Sequence, residues 1–358
     1  MAHANAGGHL QVPNVQALAQ TWNGSGEQLP ARYVRTTEEA GAEVVVAGYA
    51  PRVVDLGKLL DPRSSEEELT NLGSACQQGF FQLINHGVPD DVIQDVKRDI
   101  AEFFKLPLEA KNEHAKPPDG LEGYGQVFVF SETQKLDWSD MLYLMLRPVE
   151  SRDMRFWPVQ PPSFRSSVDV YSAEVAKVVS CLLRFMAVDM GVEPERLLEM
   201  FGGQPQTMKM TYYPPCRQAG KVIGLSPHTD ACAMTVLLHV NDVQGLQIRR
   251  DDGKWLAVQP LDGALVVFVG DIIEILSNGR YRSVEHRAVV HPDKERISAA
   301  MFHQPRHSIT VEPLPELVKK QDGGEARYKS VGYAEFMKHF FSAKLDGRKS
   351  HLDHFRIH

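Results

Sequence analysis

Residues 264–304 read ALVVFVGDIIEILSNGRYRSVEHRAVVHPDKERISAAMFHQ, and their periodicity decides the fold. Ala264 to Val269 is an unbroken apolar run of strand length. Such a run suits a strand buried on both faces and falls far short of the ~20 residues a membrane span needs. Asn278-Gly279 is a strong hairpin signal, because tight hairpin turns need positive φ at their central residues, and it predicts a strand over Arg280 to Val290. Arg296 to Gln304 alternates, which puts Arg296, Ser298, Ala300 and Phe302 on one face. Working outward, the same short-strand pattern covers Thr207–Tyr213, Met234–Val240 and Leu246–Arg250, punctuated by Asn241-Asp242 and Asp251-Asp-Gly253. Strands of this length and spacing predict an all-β core with flanking helices, a sandwich or a jelly-roll barrel (double-stranded β-helix), over residues 204–312.

Upstream the period changes to that of helices. Glu66–Gln78 carries Leu69, Leu72 and Cys76 on one stripe, with Ser64 or Ser65 as its expected cap and Gly79 as its stop. Phe80–Ile84 reads as a strand, Asp90–Phe104 as a second helix, Ser167–Met190 as a long third and Pro194–Phe201 as a short fourth. Residues 51–203 are therefore expected to form a helical amino-terminal region with short strands. The first fifty residues read as peripheral, and residues 313–358 as a lid helix, Tyr333–Ala343, with a tail. A polar middle segment, Lys116 to Glu150, holds Tyr124, Phe128, Phe130, Trp138 and Tyr143.

Composition excludes several classes. The 358 residues are 43% hydrophobic and 24% charged, which is ordinary for a globular chain. Thirty-nine Lys and Arg stand against 46 Asp and Glu, with no basic run, so no nucleic-acid partner is expected. MAHANAGGHL has neither the charge nor the apolar stretch of a secretory signal. Cys76, Cys181, Cys216 and Cys232 are scattered, as reduced thiols would be. The expectation is a cytoplasmic, monomeric protein with a small-molecule partner and no membrane contact.

His-x-Asp occurs three times, at His228-Thr-Asp230, His291-Pro-Asp293 and His351-Leu-Asp353, so the pattern alone says little. Context separates them. In a strand, residues i and i+2 share a face, and His228 with Asp230 lies at the mouth of the strand-rich block, with His286 on a later strand. Two His and one carboxylate with open positions make the facial triad of non-haem Fe(II) oxygenases. His291-Pro-Asp293 sits in a polar turn, and His351-Leu-Asp353 in a tail. Arg296 on an inward face would be costly unless a carboxylate met its planar fork. A structural ion pair or an outward orientation are the other readings of that residue.

The order His228-x-Asp230, His286, Arg296-x-Ser298 resembles the plant 2-oxoglutarate/Fe(II)-dependent dioxygenases, over about residues 52 to 343. Gly79-Phe-Phe-Gln-Leu-Ile-Asn-His-Gly87, Tyr212-Tyr-Pro-Pro-Cys216, Gly245-Leu-Gln-Ile248 and Ser277–Arg287 carry the same resemblance. Gly123-Tyr-Gly-Gln126, Phe130-Ser-Glu132 and Gln134-Lys-Leu-Asp-Trp138 are similar to its senescence-related and norcoclaurine-synthase-like subgroup, which includes the lateral-branching oxidoreductases. The resemblance implies Fe(II) on His228, Asp230 and His286. It also implies 2-oxoglutarate held by Arg296 and Ser298 with a hydroxyl from Tyr213, O2 as co-reactant and ascorbate as reductant. Thr211 stands where the family usually has Asn, and offers one donor where an amide offers more. Phe302 matches a position that often stacks on aromatic substrates. Lys209, Tyr124, Phe128, Trp138 and Tyr143, with Phe336 and Phe340 of the lid helix, complete the expected substrate pocket. The implied reaction hydroxylates, demethylates or desaturates a small apolar or aromatic plant metabolite or hormone. A non-catalytic binding protein on the same barrel and a zinc hydrolase using the same triad are the rival readings.

Overall fold

The computed structural model describes residues 10–25, 28–36, 44–45, 51–118, 120–127, 129, 131–202, 205–320, 324–342 and 351–357. In chain order it forms α1 (Val15–Ser25), β1 (Val44–Val45), β2 (Val53–Asp55), α2 (Leu56–Leu60), α3 (Ser65–Gln78), β3 (Phe80–Ile84), α4 (Asp90–Lys105), α5 (Leu108–Asn112), β4 (Gly123–Gly125) and β5 (Asp140–Arg147). Next come α6 (Phe164–Met190), α7 (Pro194–Met200), β6 (Gln206–Tyr213), β7 (Leu225–His228), β8 (Met234–His239), β9 (Leu246–Arg249), β10 (Trp255–Ala257) and β11 (Leu265–Val269). The chain continues through α8 (Asp271–Leu276), β12 (His286–Ala288), β13 (Arg296–His303), β14 (Thr310–Val311), α9 (Pro315–Lys320), β15 (Val331–Gly332) and α10 (Tyr333–Ser342).

Two sheets face each other. The larger runs β2-β3-β11-β8-β13-β6-β5-β4 and the smaller β1-β10-β9-β12-β7. Alternation along the large sheet sorts its side chains. Met208, Met210, Val236, Leu238, Ile297, Ala299 and Met301 turn outward to a core shared with Val96, Ile100, Phe103, Leu182 and Leu183 of α4 and α6. Phe80, Leu237, Val266, Phe268 and Ala300 turn inward against Leu246 and Ile248 of the small sheet. Strand register then lays the inner face out in rows: Met141–Thr211–Ser298–His239, Tyr143–Lys209–Ala300–Leu237 and Met145–Thr207–Phe302–Thr235. Directly opposed residues have Cβ atoms about 5 Å apart, so each row is a contiguous strip of wall.

Three details depart from the sequence reading. The residues after Gly270 form α8 and not the start of a hairpin. All six α8 residues are buried, Asp271 and Glu274 included, and six residues are too few for a helical period to stand out beside the preceding apolar run. Asn278 and Gly279 do adopt positive φ, 52° and 78°, but they close that helix, with Gly279 N donating to Glu274 O at 2.8 Å. The strand expected over residues 280–290 shrinks to His286–Ala288. In the middle segment, Asp140–Arg147 is a full strand beside β6. The Ser64 hydroxyl does not cap α3; it donates to Lys58 O, and Glu66, Glu67 and Glu68 alone face the helix N-terminus.

Described residues of the amino-terminal segment are packed in. Val15, Ala19, Trp22, Leu29 and Tyr33 form a cluster with Trp138, Cys216, Val222 and Val290. The buried Asp140 carboxylate accepts from Val15 N at 2.9 Å and Gln16 N at 2.7 Å, fastening the start of α1 to β5. Among the described residues no helix is long and apolar enough to cross a membrane.

Candidate metal and cosubstrate site

β7 and β12 are neighbours in the small sheet, and their register sets His228 opposite His286, with ring centroids 4.3 Å apart. Asp230 lies two residues beyond the end of β7. Its Oδ1 lies 3.6 Å from His228 Nε2 and its Oδ2 3.8 Å from His286 Nε2. The three ligand atoms lie within 4.8 Å of one another, and among the described residues no other His, Cys, Asp or Glu cluster comes so close.

The backbone aims both rings. His228 Nδ1 lies 2.8 Å from Ser226 O, and His286 Nδ1 lies 3.2 Å from Val284 O. A carbonyl only accepts, so each Nδ1 carries the proton and each Nε2 presents its lone pair. Burial pushes the His228 imidazole down to about 3, and the neighbouring His286 ring adds to the shift, so His228 is neutral. Asp230 Oδ2 has no hydrogen-bond partner although the carboxylate is buried. Two imidazole lone pairs and an unsatisfied carboxylate oxygen fit a divalent metal such as Fe(II). Close approach of α8 holds the loop in place: a Cβ on Gly270 would sit 2.1 Å from Cys232 O, so only glycine fits there.

The other two His-x-Asp pairs do different work. His291 Nδ1 accepts from Asp293 N and Lys294 N, both at 3.0 Å, which closes a turn. His351 meets His339, Nδ1 to Nδ1, at 2.8 Å beside α10.

An inner cavity beside the triad is lined by Thr211, Tyr213, Arg296 and Ser298, among others. Arg296 is 2% exposed and therefore faces inward. Its Nη1 donates to Ser298 Oγ at 3.4 Å, its guanidinium carbon lies 5.0 Å from the Tyr213 ring centroid, and its Nε has no partner. No carboxylate among the described residues pairs with it, and burial holds its pKa below the usual arginine range. A planar cation in this state matches a carboxylate arriving from solution. Gly245 makes room: a Cβ there would lie 2.7 Å from Arg296 Cδ.

A larger outer cavity, about 150 Å³ against about 40 Å³, opens on the other side of the triad. Lys209, Tyr143, Phe302 and Phe340 line it as expected, joined by Met141, Met337 and Phe341. Three expected wall residues lie elsewhere. Trp138 is fully buried in the amino-terminal cluster, with Nε1 donating to Pro214 O at 3.1 Å. Tyr124 packs edge-on against Phe103, and its hydroxyl accepts from Asn14. Phe336 is wholly buried, 5.0 Å from Phe355, because it lies on the core side of α10 while Met337, Phe340 and Phe341 face the cavity. Phe128 lies outside the described residues.

Sequence reasoning missed one chain of contacts. Asp137 Oδ1 accepts from Arg35 Nη2 at 2.8 Å, and its two oxygens accept from the Ser226 hydroxyl and backbone N–H. Ser226 O is the group that orients His228. The amino-terminal segment thus reaches a candidate ligand through one ion pair, a link between residues too distant in the chain for any local pattern to register.

Residues 204–305 match the 2OG-Fe(II) oxygenase superfamily, and residues 52–162 the model described as non-haem dioxygenase in morphine synthesis N-terminal. The chain is 55% identical to 2-oxoglutarate-dependent dioxygenase 11 of Oryza sativa subsp. japonica, over 97% of both chains. It is 44% identical to S-norcoclaurine synthase 1 of Coptis japonica, over 98% of both. Among solved structures, JOX2 in complex with 2OG, Fe and JA superposes with a TM-score of 0.86 at 33% identity, covering 98% of this chain and 99% of that one.

Proposed function

Because the chain belongs to the 2-oxoglutarate/Fe(II) oxygenase superfamily, we propose that His228, Asp230 and His286 hold its iron and that Arg296, Ser298, Tyr213 and Thr211 hold 2-oxoglutarate. Membership makes it an enzyme acting on small metabolites, which sets aside the binding-protein and zinc-hydrolase readings. When bound, the iron supplies the oxidation: substrate C–H, O2 and 2-oxoglutarate give substrate C–OH, succinate and CO2. The chain's own residues bind, orient and exclude water. Hydroxylation at a methoxy carbon would end as demethylation.

The substrate is a flat, largely apolar metabolite bearing an acidic group. Lys209 carries this reading. It lines both cavities, so its amine stands where the outer cavity meets the triad. It lies 6.0 Å from the Phe302 ring centroid and has no hydrogen-bonded or ion-paired carboxylate among the described residues. Around it Met141, Tyr143, Phe302, Met337 and Phe340 supply apolar and aromatic wall. An ammonium in such surroundings attracts an anion and repels a cationic amine.

The test compares aromatic acids with their methyl esters, reading succinate and product mass. Acids should be oxidised preferentially, and Lys209→Met should erase the preference without weakening metal-dependent 2-oxoglutarate binding. Equal turnover of acid and ester by the native enzyme would end the anion reading.

A further inference from the structure

Among the described polar side chains on the barrel's inner face, His239 is left without a role by the site described above. It closes β8, and its neighbours two and four residues back, Leu237 and Thr235, line the inner cavity. Alternation puts His239 on that same face. Register places it directly opposite Ser298, which in turn lies opposite Thr211, so the three form one row across β8, β13 and β6. His239 is 6% exposed, and neither ring nitrogen has a hydrogen-bond partner among the described residues. Arg296 Nε is unpartnered too. Buried polar groups are almost always satisfied, and each one left unmade costs about 1–3 kcal/mol. The inner cavity's lining reaches Arg296 and Ser298. His239 stands one strand over from Ser298, near enough to Arg296 for that cation to depress its ring, so unmatched atoms of two residues meet at the Arg296 end of the cavity.

We propose that His239 is a further member of the cosubstrate site, donating a ring N–H to the distal carboxylate of 2-oxoglutarate beside Arg296 and Ser298. The proposal rests on the reading that Arg296 takes that carboxylate. A carboxylate offers about four lone-pair directions, more than the Arg296 fork fills. Thr211, in the same row, has a single hydroxyl proton to give. Burial, with the Arg296 and Lys97 cations, holds the His239 ring down to about 3, so it stays neutral with one N–H to donate.

The experiment measures ligand binding by calorimetry on the full chain loaded with Mn(II), which takes the iron's place without turnover. Two ligands are compared: 2-oxoglutarate, and 2-oxopentanoate, which keeps the chelating end and lacks the distal carboxylate. His239→Leu should weaken 2-oxoglutarate about tenfold or more and leave 2-oxopentanoate unchanged. His239→Gln, which restores an N–H donor, should recover most of the loss. Unchanged 2-oxoglutarate affinity in His239→Leu, or equal losses for both ligands, would overturn the proposal while leaving Arg296 in place. Absence of Mn(II)-dependent 2-oxoglutarate binding by the native chain would overturn the underlying site reading with it.

Discussion

Arg296→Met should make the ligand-free protein at least as stable as the native one and deprive 2-oxoglutarate of any power to stabilise it. The guanidinium is 2% exposed, no carboxylate among the described residues meets it, and burial already disfavours its charged form. Replacing buried charge by an apolar side chain of similar length ranges from neutral to a few kcal/mol stabilising. Two hydrogen bonds to a charged group, each worth ~1.5–3 kcal/mol, are lost on the ligand side. That exceeds the ~2.7 kcal/mol that a ligand contributes at a hundred times its Kd. The assay is thermal unfolding of the Mn(II)-loaded chain with and without 2-oxoglutarate. Native protein should gain a few degrees from the ligand, and Arg296→Met none, from an equal or higher starting midpoint. A full ligand-induced shift in the variant would refute the assignment of Arg296. A large drop in its ligand-free midpoint would show that Arg296 serves the fold, as an unrecognised structural cation.

The remaining predictions concern metal, lid and amino terminus. His286→Ala should abolish turnover and weaken iron binding measured by metal titration, whereas His291→Ala, which only loosens a turn, should alter neither. Met337→Ala combined with Phe340→Ala removes cavity wall without touching Phe336, so succinate should form in excess of product while the melting temperature holds. Parallel loss of both activities and of stability would make α10 a structural cap. Burial raises the Asp140 carboxyl from 3.8 to about 6. Its contribution to stability is therefore full below about pH 4 and is lost as pH rises through about 6. Urea midpoints at pH 5 and pH 8 should accordingly differ less in Asp140→Asn than in the native chain, and an identical pH difference would remove Asp140 from the account.

How much the sequence revealed follows from what each face touches. β13 was legible because Arg296, Ser298, Ala300 and Phe302 alternate with Ile297, Ala299 and Met301, one set facing the cavities and the other the helices. His228 and Asp230 drew attention by their i, i+2 spacing, although β7 ends at His228, and His286 joins them only through the register of β12 with β7. α8 was not legible, since its six residues span under two turns and continue the apolar run of β11. β5 was hidden because Met141 and Tyr143, which line the outer cavity, are apolar or aromatic like Leu142, Leu144 and Leu146 in the core, so residue type does not alternate although burial largely does. Aromatic content misled for Tyr124, Trp138 and Phe336: a ring fits core and pocket equally well, and only tertiary position separates them. His239 left no trace, because its place opposite Ser298 is set by register between strands.

The register of β7 with β12 bears on how the enzyme is made. His228 and His286 become neighbours only when that ladder closes, and β7 is an edge strand of its sheet. Contacts between segments so distant in the chain are slow to form. Neither strand alone presents a pocket for a metal, so a nascent chain emerging from the ribosome should hold no tight iron site until the barrel is shut. On the proposed ligand assignment iron loading follows folding, and a chain folded without the metal would keep a site that can still be filled.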